Sequence, residues 1–161
     1  MKNVVKEIKK MKKILIIAVL LPIILITLFV LFALSVPIVN NITAANVAGD
    51  LEDIPLPENT ELVESISAAG KFTGNGNGMQ YFGAMLIKTD LSLDELNSYY
   101  SDYRENDYTC VVEKQESGEI AVIEHGSLAF ESELSSTEDY YIVYSWGDGI
   151  DLFADLDIRG H

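Results

Sequence analysis

The stretch Ile14-LIIAVLLPIILITLFVLFALSVPI-Val39 runs for 26 residues without a charge. As an α-helix rising about 1.5 Å per residue it extends about 39 Å, more than a hydrocarbon core of about 30 Å requires, so it can span a bilayer with some tilt. Its hydroxyls, on Thr27 and Ser35, can bond back to preceding helix carbonyls and need not meet lipid unsatisfied. Pro22 lies inside the run, where lipid leaves no alternative to helix, and predicts a kink rather than an end. Pro37, followed by Asn40 and Asn41, is the expected exit.

The flanks orient the span. Lys2, Lys6, Lys9, Lys10, Lys12 and Lys13 precede it with a single acid, Glu7, whereas the first base after it is Lys71. The positive-inside bias then places the N-terminus in the cytoplasm and the remainder outside. A cleaved secretory signal is the competing reading, with Ala44, Ala45 and Ala48 offering cleavage near Ala45–Ala48. A signal core usually covers about 7–15 residues, much less than this run, which favours an uncleaved anchor. A lipid anchor would need a cysteine just after the run, and the chain's one cysteine is Cys110.

Beyond the span the chain is strongly acidic. Residues 40–161 hold 24 Asp and Glu against five bases, Lys71, Lys88, Arg104, Lys114 and Arg159, a net −19 within a chain whose total is −14. Such a surface repels nucleic acid and anionic headgroups, both of which are bound through Lys and Arg. With one cysteine there can be no intramolecular disulfide, so about 100 residues rely on an apolar core, which is sufficient at that size. Cys110 lies in a β-like run and reads as a small buried residue rather than a reactive thiol.

Residues 40–59 contain Gly49, Pro55 and Pro57 with no sustained apolar period and read as a tether. Beyond it, Glu61–Ala68 and Met79–Lys88 are expected as strands on either side of Thr73-Gly-Asn-Gly-Asn-Gly78, whose Asn-Gly pairs suit a hairpin. Ser92 with Glu95 forms a capping box, and Leu91 with Leu96 a hydrophobic staple. Leu93, Leu96, Tyr100 and Tyr103 then continue as one stripe of a helix to about Arg104. Further strands are expected at Tyr108–Lys114, Glu119–Phe130 with a break at Gly126, Tyr140–Trp146 and, shortest, Ile150–Phe153. Short turns between strands and one intervening helix predict an α+β domain over 60–161, its largely antiparallel sheet packed by that helix. The whole chain thus divides into a basic segment (1–13), a transmembrane helix (14–39), a tether (40–59) and the domain.

The chemistry-bearing patterns are sparse. The glycine block opens a β-run instead of a helix, and Lys88 lies ten residues beyond it, so it lacks the context of a phosphate loop. Asp148, Asp151, Asp155 and Asp157 could attract calcium, but their spacing is not that of an EF-hand loop. His125, with Ser127 or Cys110 as nucleophile, is the nearest approach to a catalytic pair, and one usable His with one Cys is too few for zinc. No motif calls for a cofactor. Tyr140, Ile142, Tyr144 and Trp146 share one strand face, which serves either as core or as a binding face, with Tyr140, Tyr144 and Trp146 as its candidate contacts.

The succession Pro55-Leu-Pro-Glu-Asn-Thr-Glu-Leu-Val-Glu-Ser, a glycine-rich turn, and Leu91-Ser-Leu-Asp-Glu-Leu-Asn-Ser-Tyr-Tyr resembles small membrane-anchored, lipoprotein-like extracytoplasmic proteins of Gram-positive bacteria, over about Pro55 to Trp146. The resemblance implies an extracytoplasmic domain and brings no catalytic residue with it. The expectation is a single-pass, membrane-anchored, non-enzymatic binding or accessory module of the cell envelope. Its partners would be the bilayer, through 14–39, and an envelope or membrane protein. The alternative is an envelope hydrolase using unassigned carboxylates or His125.

Overall fold

The computed structural model describes residues 2–161, which fall into two compact units, residues 2–36 and 37–161. The first consists of helix. Helix α1 has the bounds Lys2–Glu52, and within its first unit the aliphatic side chains from Ile14 to Leu34 are exposed all round. The Thr27 hydroxyl donates to the Ile23 carbonyl at 2.9 Å and Ser35 to Phe32 at 2.7 Å, so both are satisfied within the helix. Its most apolar 18-residue window has a mean hydropathy of 3.4 and none of it is buried. By length and composition it can cross a membrane as an anchor, and a signal sequence would meet the same description.

The second unit is α+β. Four strands, β1 (Thr60–Gly70), β2 (Gln80–Thr89), β3 (Val111–Lys114) and β4 (Tyr140–Gly147), form an antiparallel sheet in the order β1-β2-β4-β3. The expected hairpin joins β1 to β2. Helix α2 (Leu93–Ser101) follows with its capping box complete: Ser92 Oγ accepts from the Glu95 amide at 3.3 Å and Glu95 Oε2 accepts from the Ser92 amide at 2.8 Å. Leu96 and Tyr100 are its fully buried positions, and Leu91 joins the same core cluster. The helix ends three residues earlier than the stripe predicts, and Leu93 and Tyr103 are 38% and 39% exposed.

Both faces of the central strand β2 are covered. Met85 and Ile87 point into a cluster with Leu51, Leu96, Tyr100, Val112, Tyr141 and Val143, while Phe82, Ala84 and Leu86 point into another with Ile120, Phe130, Ile142 and Tyr144. The first face is capped by α2 and by the end of α1. The second is capped by the connection between β3 and β4, residues 115–139.

The tether expected over 40–59 is therefore mostly fold. Pro37 does not end α1, which continues to Glu52. Asn40, Ala44, Ala48 and Leu51, at successive turns, are all buried. This stripe is narrow and made largely of small residues, so it carries little hydrophobic signal. Gly83 explains why the residues are small: a Cβ there would lie 2.7 Å from the Val47 carbonyl carbon and 2.8 Å from the Ala48 Cα, so helix and strand backbones nearly touch. Ile54 and Leu56 extend the contact, and Tyr99 donates to the Pro55 carbonyl at 2.7 Å.

Three strand expectations are corrected. Glu119–Phe130 makes one isolated bridge, Glu119 to Ala129; Gly126, at φ +87°, reverses the chain, and the apolar alternation serves to face the sheet, not to extend it. Its two limbs close on each other through Ile120 N–H to Leu128 and Phe130 N–H to Gly118. Tyr108–Cys110 precedes β3 without joining it, because Cys110 sits at φ +50°, outside the β region. Ile150–Phe153 enters a short helix, α3 (Asp151–Leu156), followed by a 3-10 turn at Ile158–Gly160.

Removing a fully buried leucine from α2 tests the first-face packing. Leu96→Ala is expected to cost about 2–4 kcal/mol and the cap variant Ser92→Ala about 1 kcal/mol. Both are read as lowered denaturant midpoints at unchanged slope.

Candidate binding groove

The end of the sheet at Gly70, Gln80 and Gly147 holds the unit's polar centre and an open groove. The polar centre comes from opposite ends of the sequence. Asn40 is fully buried; its Oδ1 accepts from the Tyr81 hydroxyl at 2.8 Å, and its Nδ2 donates to Asp157 Oδ2 at 2.9 Å and to the Phe153 carbonyl at 3.0 Å. Asp157, 4% exposed, in turn accepts from Arg159 Nε at 3.0 Å and Nη2 at 2.7 Å, a bidentate pair. The guanidinium continues outward, with Nη1 donating to Asn41 Oδ1 at 2.8 Å and Nη2 reaching the Pro37 carbonyl at 3.4 Å. The Arg159 hydrogen bonds hold the Asp157 carboxyl far below its ordinary range, and burial together with that carboxylate pushes the Tyr81 hydroxyl up.

Beside this centre, β4 presents its aromatic face. Tyr140 and Tyr144 are 7% and 5% exposed, so they are mainly core, and their hydroxyls donate to Glu138 at 2.7 Å and Glu113 at 2.9 Å. Burial, reinforced by Glu113, drives the Tyr144 hydroxyl well above its ordinary range. Trp146 is the half-buried member: its ring lies 4.8 Å from Phe82 and 6.3 Å from Phe72, and its amide donates to the Tyr108 carbonyl at 2.9 Å. That last bond brings Tyr108, 68% exposed, to the other side of an open groove of about 690 Å³. Edges of Tyr81 and Tyr144 form part of the floor, and Asp107, Glu124 and Asp148 supply carboxylates. Among the described residues, no Lys, Arg or His lines it. Four of the unit's five bases are occupied elsewhere, Lys88 with Glu61 and Glu138, Lys114 with Asp139, Arg159 with Asp157 and Arg104 on the Cys110 carbonyl.

The other candidates are dispersed. His125 Nε2–H donates to the Gly74 carbonyl at 2.8 Å, and Glu124 Oε2 accepts from the Gly74 amide at 2.8 Å, so these residues pin the glycine-rich hairpin tip to the second-face connection. Neither Ser127 nor Cys110 is hydrogen-bonded to His125. The Cys110 thiol donates to Tyr103 O at 3.6 Å, and burial pushes its pKa up, which suits a structural cysteine. Of the C-terminal acids, Asp157 is taken by Arg159, and among the described residues no three or more His, Cys, Asp or Glu are grouped as metal ligands. Ala44 and Ala48, read in sequence as a possible cleavage site, lie buried beneath the sheet.

No protein-family model, curated protein or solved structure matches this chain.

The polar centre titrates. Because the Asp157 pKa is depressed in the folded protein, its stabilisation is fully present above its ordinary value of 3.8 and is lost as pH falls below it. An acid series of unfolding midpoints is expected to fall steeply below about pH 4, and Asp157→Asn to lower the neutral-pH midpoint while flattening that acid limb.

Proposed function

We propose that this protein is a single-pass membrane protein with a cytoplasmic N-terminus, whose extracytoplasmic domain is a non-enzymatic binding module for a cationic ligand, an amine- or guanidinium-bearing segment of a basic peptide or protein. The lysine-flanked apolar run supports the topology. The groove between Trp146 and Tyr108 carries the binding reading. A cation is attracted to the faces of aromatic rings, most strongly Trp, and the attraction grows where carboxylates flank them and bases are absent. Asp107, Glu124 and Asp148 provide those carboxylates, on a domain of net −19. An open groove suits an extended segment better than an enclosed small molecule.

Trp146 is the chain's one tryptophan and so reports on the groove directly. Titrating the detergent-solubilised chain with tetralysine is expected to change its emission saturably, with affinity falling as salt rises. Tyr108→Ala and Asp148→Asn should each weaken binding about fivefold, near 1 kcal/mol apiece. Protease added to intact cells should remove the domain and spare the N-terminus. Flat emission with tetralysine would refute the ligand class, and a protected domain would refute the topology.

A further inference from the structure

We infer that the C-terminal segment, residues 150–161, is a foot that lies on the outer bilayer surface, with Ile150, Leu152, Leu156 and Ile158 in its interfacial layer. The inference rests on the reading of residues 14–39 as a membrane span and is independent of the groove. Ile150, Leu152, Leu156 and Ile158 are 58%, 56%, 49% and 86% exposed, an unusual concentration of bare aliphatics on nine residues of a small domain. Leu152 and Leu156 are one helical turn apart and share a face of α3, while Phe153 and Ala154 turn toward the domain.

The position of the segment identifies what covers it. Pro37, Ile38 and Val39 are the last residues of the uncharged run and belong to the domain's own compact unit. Arg159 reaches the Pro37 carbonyl and Asn41, and Asn40 binds both Asp157 and the Phe153 carbonyl, so α3 and the following turn are fastened at the point where the run ends. From there α1 and β2 rise together: Asn40 meets Tyr81, Ala48 meets Gly83, and Leu51 joins the cluster of Met85 and Ile87. The sheet end at Gly70, Gln80 and Gly147 is therefore the one nearest the bilayer. The segment closes that end, accepting from the Lys71 amide at Arg159 O (3.0 Å) and from the Gly78 amide at Gly160 O (2.7 Å). Ile38 and Ile42, beside Asn40 in sequence, are likewise 57% and 55% exposed on α1. Arg159, anchored at this level, is placed as an interfacial arginine, and Asp151 and Asp155 flank the apolar face at headgroup depth, which suits zwitterionic better than anionic lipid.

Spin labels on the full-length chain in phosphatidylcholine nanodiscs test this, at Leu152→Cys and Ile158→Cys, with Leu25→Cys in the span and Thr137→Cys at the opposite end of the sheet as references. Cys110 is retained, and the parent chain measures its background labelling. The readout is collision with oxygen, which concentrates in lipid, relative to an aqueous nickel chelate. The Leu152 and Ile158 labels are expected to show an oxygen-to-nickel ratio several-fold above that at Thr137 and below that at Leu25. Ratios equal to Thr137, with Leu25 inserted, overturn the foot while leaving the span intact. Labels at 152 and 158 inaccessible to both reagents also overturn it, pointing to a protein or a second copy on that face. A Leu25 label open to nickel would overturn the span reading, and the foot with it.

Discussion

The hydrogen-bond chain Tyr81–Asn40–Asp157–Arg159 fixes where helix α1, the sheet and the C-terminus meet. Tyr81, Asn40 and Asp157 are buried and Arg159 closes the chain at the surface, and each is satisfied by another: the Tyr81 hydroxyl by the Asn40 side-chain oxygen, the Asn40 amide by Asp157, the Asp157 carboxylate by Arg159. Removing any one leaves a buried donor, acceptor or charge unpaired, which costs more than the bond itself contributes. The geometry is specific in a way apolar packing is not. Asn40 can satisfy both ends of its amide only when α1 lies at one height along β2, and that height also puts Ala48 opposite Gly83.

That register sets the rest of the packing. With α1 seated, Leu51 completes the first-face core with Leu96, Tyr100 and Met85, and α2 has a surface to pack on. The second face is covered by a long irregular connection instead of a helix, held by its own paired limbs and by Glu64, whose carboxylate accepts from the amides of Glu131 and Ser132. Because β4 is sandwiched, most of its aromatic face is consumed as core. Only toward Gly147, where the cover thins, does Trp146 become available and the groove open.

The sequence discloses those parts of the fold whose signals are local. The hairpin shows in its Asn-Gly turn, α2 in Ser92 and Glu95, and β4 in the alternation of Tyr140, Ile142, Tyr144 and Trp146. The seating of α1 is hidden because it is made of small residues: Ala44 and Ala48 look like a cleavage site when their neighbours in space, Gly83 and Tyr81, are 35 or more positions away. Glu119–Phe130 carries a strand's alternation without a strand's pairing, since alternation reports burial and not hydrogen bonding. Asp157 looks like one more acid in an acidic tail until Asn40, 117 residues earlier, is beside it. Of the candidate site residues, Tyr140 and Tyr144 are mostly enclosed, Trp146 lines the groove, and Tyr108 had no distinguishing pattern at all.

The central claim is that residues 37–52 belong to the domain's core and do not merely lead to it. Denaturant unfolding of two soluble fragments, 37–161 and 53–161, tests it most directly. The account predicts one cooperative transition for the first and none for the second, whose sheet would lose Asn40, Ala44, Ala48 and Leu51 from its first face. Coincident transitions with equal midpoints would contradict it and return these residues to the role of a tether.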